Sequence, residues 1–338
     1  MKASTIQLTR LALAVVALAP AGTERPQYAT LAMQTQGEDK MNANTTSTRR
    51  NIVTRALGAL ALLCLCSLSA TPQADASTVY IQTATSANTI SNWTDLSLKD
   101  SNPNSIYFVT PNWNPPGYWG TYENHPIGVW FDAARSDWAI FNQDYAPMAL
   151  GESFNVFTRP AASNVYTHVA TASNSSGDST YLDNVYTNNN PYALIWVTPN
   201  YNPGGKGGVY NNHNIGVWYD SSRCKWAIFN QDGSAIPNGA AFNIVNESAA
   251  YAPHYFVQTA NSSNISGDSM FLNVSTINGA NGHSVLVTPV FNPNGLSWGV
   301  YENHAIGVWY DSANGRYAIF NQDGSPMTPG VSFNIWIL

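Results

Sequence analysis

Ile215-Gly216-Val217-Trp218-Tyr219-Asp220, followed by Trp226-Ala227-Ile228-Phe229-Asn230-Gln231-Asp232-Gly233, decides the fold, because the chain spells this stretch three times. The copies begin at Ile127, Ile215 and Ile306, each preceded by Asn-His and followed by Phe-Asn plus an apolar residue (Phe154-Asn155-Val156, Phe242-Asn243-Ile244, Phe333-Asn334-Ile335). The histidines His125, His213 and His304 recur every 88 to 91 residues. A fixed period of that length marks a tandem-repeat architecture. Within each copy, β-branched and aromatic residues flank turn residues such as Asn314-Gly315, so the stretch reads as a hairpin.

Working outward, each unit repeats the same order of signals. An alternating opening strand (Val79–Thr83, Val165–Val169, Tyr255–Thr259) enters an Asn/Ser/Gly loop, and a short apolar strand ends in Val-Thr-Pro at Pro111, Pro199 and Pro289. Proline closes that strand because it cannot donate to a ladder. An aromatic loop follows, then the hairpin. Gln231-Asp232-Gly233 and Gln322-Asp323-Gly324 mark the next reversal; Tyr145 stands at the glycine position of the first unit, which predicts an altered turn there. Val217 and Tyr219 fall on one strand face and Trp218 on the other, and strands apolar on both faces belong to packed sheets.

The fold class is therefore all-β: three tandem antiparallel β-sandwich or small-barrel repeats of about six to eight strands each. The boundaries fall at 77–160, 161–250 and 251–338, after a leader over 1–76. Full repetition of strands and turns leads to the expectation that each unit folds nearly on its own.

The leader combines a basic stretch (Asn42 to Arg55), an apolar run (Ala56 to Ala70) and Ala74-Asp75-Ala76, the pattern of a secretory signal peptide with Met41 as the true start. Thr48-Arg49-Arg50 also resembles a twin-arginine signal. The apolar run is too short for a transmembrane helix. The expected location is thus extracytoplasmic: periplasm, cell surface or medium. Residues 77–338 hold seven Lys and Arg against sixteen Asp and Glu, which gives no electrostatic footprint for nucleic acid. Charged residues make up 10% of the chain and aromatics 12%, unlike amphipathic surface helices.

Chemistry has few footholds. Cys224 stands alone after the leader and has no counterpart in the other units. The recurring His125, His213 and His304, with Asp132, Asp220 and Asp311 and then Asp144, Asp232 and Asp323, lack a recurring nucleophile, so no catalytic residue is assigned. They read as groups that satisfy backbone at strand ends or contact a ligand. Glu123 and Glu302 suggest paired carboxylates with Asp132 and Asp311, but the middle unit has Asn211. Ser176-Gly177-Asp178-Ser179 and its copy lack the calcium-loop pattern and read as turns, so no metal and no cofactor are assigned.

The aromatic loop carries the sharper expectation. Trp113, Trp119 and Tyr122 in the first unit, Tyr201 and Tyr210 in the second, and Phe291 and Tyr301 in the third lie among Asn, Pro and Gly. Rigid aromatic faces beside amides suit the stacking and hydroxyl bonding that neutral glycans need, and together with the three histidines they form the candidate ligand set. The same rings would equally serve to plug the end of a sandwich.

The run His-x-Ile-Gly-Val-Trp-Tyr-Asp, Trp-Ala-Ile-Phe-Asn-Gln-Asp and Phe-Asn-Val or Phe-Asn-Ile resembles a family of repeated domains of unknown function in secreted bacterial proteins. The resemblance covers Ser77 to Leu338; it implies tandem copies and an extracytoplasmic location and brings no activity with it. Two function classes follow. One is a non-catalytic secreted protein binding a ligand or surface, foremost a glycan; the other is a structural envelope, surface-layer or filament protein that self-associates, with a hydrolase a distant third.

Overall fold

The computed structural model describes residues 77–116 and 120–338. The leader expected over 1–76, and Trp119, lie outside the described residues.

Each repeat contributes seven strands in the same order. The first holds β1 (Thr78–Thr83), β2 (Thr89–Ile90), β3 (Trp93–Asp95), β4 (Tyr107–Pro111), β5 (Ile127–Asp132), β6 (Asp137–Asn142) and β7 (Ser153–Thr158). The second holds β8 (Val165–Val169), β9 (Ser175–Ser176), β10 (Ser179–Tyr181), β11 (Leu194–Pro199), β12 (Ile215–Asp220), β13 (Lys225–Asn230) and β14 (Ala241–Glu247). The third holds β15 (Tyr255–Thr259), β16 (Ile265–Ser266), β17 (Ser269–Phe271), β18 (Val285–Val290), β19 (Ile306–Asp311), β20 (Arg316–Asn321) and β21 (Ser332–Ile337).

The organising stretch is the hairpin β5–β6, β12–β13 or β19–β20, with Val217 opposite Ile228 and Tyr219 opposite Trp226 in the middle copy. In each repeat it sits in a four-stranded sheet (β2-β3-β6-β5 in the first), which packs on a three-stranded sheet (β1-β7-β4). Period-2 alternation sends Val109, Val129, Trp138, Ile140, Phe154 and Val156 into the space between the two layers. Each repeat is thus a two-layered sandwich, and no sheet closes into the small barrel entertained from sequence.

The sandwiches are not self-contained. The three-stranded sheet of each repeat continues, through a parallel contact, into the four-stranded sheet of a neighbour. β18 pairs with β12 at Val290 and Val217, while Asn200 bridges to Val129 and Asn112 to Val308. The third repeat therefore leans on the second, the second on the first, and the first on the third. The result is a closed ring with a pseudo-threefold axis.

Recurring polar residues stitch this ring. The Thr of each Val-Thr-Pro accepts a backbone N–H from another repeat: Val109 N–H donates to Thr198, Val197 N–H to Thr288 and Val287 N–H to Thr110, at 3.0 to 3.1 Å. The Asn of each Phe-Asn motif donates the other way around the ring, Asn155 to the Val285 carbonyl, Asn243 to Tyr107 and Asn334 to Ile195. These bonds satisfy backbone groups that the strand edges would otherwise bury unpaired.

The face of β4, β11 and β18 that points away from its own sandwich meets its counterparts on the axis. Phe108, Phe157, Trp196, Val245, Leu286 and Trp336 form a fourth core there, with Trp196 and Trp336 ring centroids 4.9 Å apart. That axial core is why apolar residues occupy both parities of these strands. It also revises the expectation of nearly independent units, since each repeat buries one face only against the other two.

The β6 to β7 turn of the first repeat is unaltered. Tyr145 adopts φ 67°, beside 76° at Gly233 and 74° at Gly324. The ring tolerates a side chain in the left-handed region because neighbouring bonds hold the turn: Asp144 accepts the Ala146 N–H, as Asp232 does from Ser234 and Asp323 from Ser325.

Candidate functional site: three joints and an axial rim

The aromatic loops cross the joints. Each folds back so that its first aromatic ring lies against a glycine of the same loop; a Cβ at Gly120 would overlap Trp113, and one at Gly208 would overlap Tyr201. The ring then meets the hairpin of the adjoining repeat. Trp113 packs on Trp309 and Tyr122 on Phe320 of the third repeat, with centroids 6.0 to 6.2 Å apart. Tyr201 and Tyr210 pack on Phe141 of the first, and Phe291 and Tyr301 on Phe229 of the second, at 5.9 to 6.1 Å.

Side-chain amides fix each loop on the same strand. Asn202 accepts from the Phe131 N–H and donates to the Phe131 carbonyl, as if it were one more residue of a sheet; Asn292 does the same to Tyr219 and Asn114 to Tyr310. The Gln of Phe-Asn-Gln-Asp completes the clamp. Gln231 accepts from Glu302 N–H at 2.8 Å and donates to the Glu302 carbonyl at 2.6 Å, Gln322 accepts from Glu123 N–H and Gln143 from Asn211 N–H.

The candidate ligand residues accordingly separate into two groups. The inner rings Trp113, Tyr201 and Phe291 are half-buried and fasten one repeat to the next rather than plugging the end of their own sandwich. The outer rings are open to solvent: Tyr122 is 54% exposed and Tyr301 55%, with Tyr145 at 62% beside Tyr210 and Trp298 at 59% in the third loop. Two joints open into surface clefts, one lined by Trp113, Tyr122, Asp268, Ser269, Trp309 and Phe320, the other centred on Trp93, Trp130, Tyr201 and Tyr210.

The histidines stand apart from these clefts. His125, His213 and His304 gather around one depression at the end of the axis. Each Nδ1 lies 2.7 Å from a carboxylate oxygen, of Asp144, Asp232 and Asp323 respectively. Burial alone would raise Asp232 and Asp323, but bonds from the Ser234 and Ser325 backbone and from the histidines outweigh it and hold both carboxyls below the usual range. The other recurrent acids, Asp132, Asp220 and Asp311, cap the hairpin turns instead, accepting from Ala134, Ser222 and Ala313 N–H.

Sequence reasoning singled out Glu123 and Glu302 but missed that each lies buried beside a glutamine clamp. Glu123 is 1% exposed and Glu302 2%. Neither faces the aspartate suggested from sequence. Burial pushes Glu302 up to about 7, with His304 opposing. Glu123 lies beside Glu152; burial first, then the neighbouring carboxyl, raise it far above the carboxylate range. In the middle repeat the same place holds Asn211, which exchanges two hydrogen bonds with Asn230. The position just before the recurring Asn-His, Glu123 and Glu302 in two copies and Asn211 in the middle one, was the available signal.

Among the described residues, no group of three or more His, Cys, Asp and Glu is placed to hold a metal ion, and no helix is long and apolar enough to cross a membrane. Among curated proteins and solved structures, none matches the chain. One family model matches it three times, over residues 67–157, 131–246 and 221–337. The chain therefore belongs to the family described as Domain of unknown function (DUF7452), present here in tandem.

Proposed function

We propose that the protein is an exported, non-catalytic module that binds a glycan or a glycan-bearing surface through the outer aromatic rings of its three joints. The observation that carries this reading is the exposure of Tyr122 and Tyr145 beside clefts that also present Ser269, Asp268 and Asn92, with Tyr301 and Trp298 exposed at the third joint. A half-exposed ring on a rigid loop stacks on a sugar face with little loss of freedom, at about 0.5 to 1.5 kcal/mol beyond area burial. Three such sites at fixed spacing gain avidity on a polymer even where each is weak. Export accords with the basic, apolar and Ala-x-Ala pattern of the leader.

The test is pull-down on insoluble polysaccharides together with a glycan array, using the full chain and the triple variant Tyr122→Ala, Tyr210→Ala, Tyr301→Ala. The triple variant should keep its unfolding transition and lose retention by more than tenfold. Undiminished retention in the folded variant would remove the joints from recognition. Concentration-dependent assembly with no glycan signal would instead favour the structural class.

A further inference from the structure

Along the axis the strands β4, β11 and β18 pass from the aromatic axial core to the collar formed by Thr110, Thr198 and Thr288. They end at a depression walled by the prolines of the three Val-Thr-Pro turns and the isoleucines that open β5, β12 and β19. The three histidines form its rim.

The hydrogen bonding of rim and collar is complementary. Where the imidazole is neutral, an Asp carboxylate that accepts from Nδ1 keeps the single ring proton there and leaves Nε2 as an acceptor. Among the described residues no protein group bonds to any of the three Nε2 atoms. Each collar threonine is no more than 3% exposed and accepts one N–H, yet its own O–H donates to no described protein group. The depression thus offers three acceptors at the rim and three buried donors at the collar, between apolar walls. Each threonine Oγ1 already has one partner, which leaves its O–H free to donate to an oxygen bound in the depression.

Charge and spacing narrow the class. Asp144, Asp232 and Asp323 stand behind the rim and make it unfavourable for anions. The histidines do not converge on a single ion, so the donors they meet must be spread over a molecule. A polyhydroxylated six-membered ring spreads its O–H groups in that way and shows C–H faces to proline and isoleucine. We propose that the axial depression binds one neutral polyhydroxylated six-membered ring, a pyranose or a cyclitol, per chain. Its hydroxyls donate to the rim Nε2 atoms, and its oxygens accept from the threonine collar. The ligand class is shared with the glycan reading, but the place and stoichiometry are not, so either can fail without the other.

The experiment titrates the full chain with glucose, galactose, mannose, N-acetylglucosamine and myo-inositol while following the imidazole 15N resonances of His125, His213 and His304. At least one probe should move all three together and saturate at one per chain. His213→Phe should weaken that binding by roughly tenfold, the loss of one good hydrogen bond, while His213→Gln, which restores an acceptor, should recover part of it. The triple tyrosine variant should leave it unchanged. Failure of all five probes to shift the rim, or axial shifts that persist at full affinity in a folded His213→Phe variant, would overturn the proposal.

Discussion

The joint between the second and first repeats and the joint between the third and second have the same backbone and opposite interiors. In the former, Asn211 and Asn230 exchange two hydrogen bonds and no proton is at stake. In the latter, Glu302 stands in the place of Asn211 with both carboxyl oxygens unpartnered. One scaffold, held by the same glutamine clamp, accepts a self-satisfied amide pair or a buried acid. The clamp sets the geometry, and the residue beneath it sets how stability responds to pH.

The largest test of that division removes the joints altogether. Residues 161–250 alone should give a disordered circular-dichroism spectrum, because their axial face and half of each sheet contact are supplied by other repeats. A cooperative β-type transition in that fragment would show that the joints are accessory.

Cutting one clamp is the next step down. Gln231→Ala deletes both bonds to the Glu302 backbone, leaving buried groups unpaired at about 1 to 3 kcal/mol each. Gln322→Ala deletes one such bond and should cost about half as much. Urea midpoints compare the two directly, and equal losses would break the link between bond count and joint strength.

Replacing the acid sharpens the comparison. Glu302 has its folded pKa raised to about 7 from 4.5, so the folded state holds its proton more tightly than the unfolded chain. Its stability contribution is therefore intact below pH 4.5 and is lost as pH rises to about 7. Glu302→Gln should stabilise the protein by roughly 3 kcal/mol at pH 8 and by almost nothing at pH 4. Glu123→Gln should go further and flatten the decline that continues above pH 7, since burial and Glu152 keep Glu123 protonated to higher pH. Thermal melts across pH 4 to 9 read both, and a pH-independent gain from Glu302→Gln would show that the acid is paired.

The smallest effect lies in the hairpin turns. Cys224 adopts φ 52° where Gly315 has φ 63°. Cys224→Gly should raise stability by about 1 kcal/mol by relieving a left-handed side chain, and a loss would show that the Cys224 side chain contributes to its turn.

Much of a single repeat could be read from the chain. The hairpins, the Pro-terminated strands and the two-faced apolar pattern are local signals, and local signals fix local structure. The ring could not be read, because Thr198, Asn243 and Gln231 bond to backbone in other repeats and nothing in their spacing says which. The same limit left the histidines' partners open: His213 has one aspartate seven residues away and another nineteen away, and only the fold selects Asp232. The turn at Tyr145 was misread because the bonds that hold it outweigh the preference for glycine. The aromatic loops were found as a set, yet their division into inner fasteners and outer faces depends on the adjoining hairpin.

The joint also determines a number. Each repeat carries both halves of the same interface, a three-stranded sheet that leans forward and a hairpin that receives, and three of them bring the last half back to the first. Two of the three joints are covalently spanned and the third is not, though all use the same contacts. Copy number here is thus a geometric quantity. Two repeats would leave an open face at each end, and a fourth would find no vacancy.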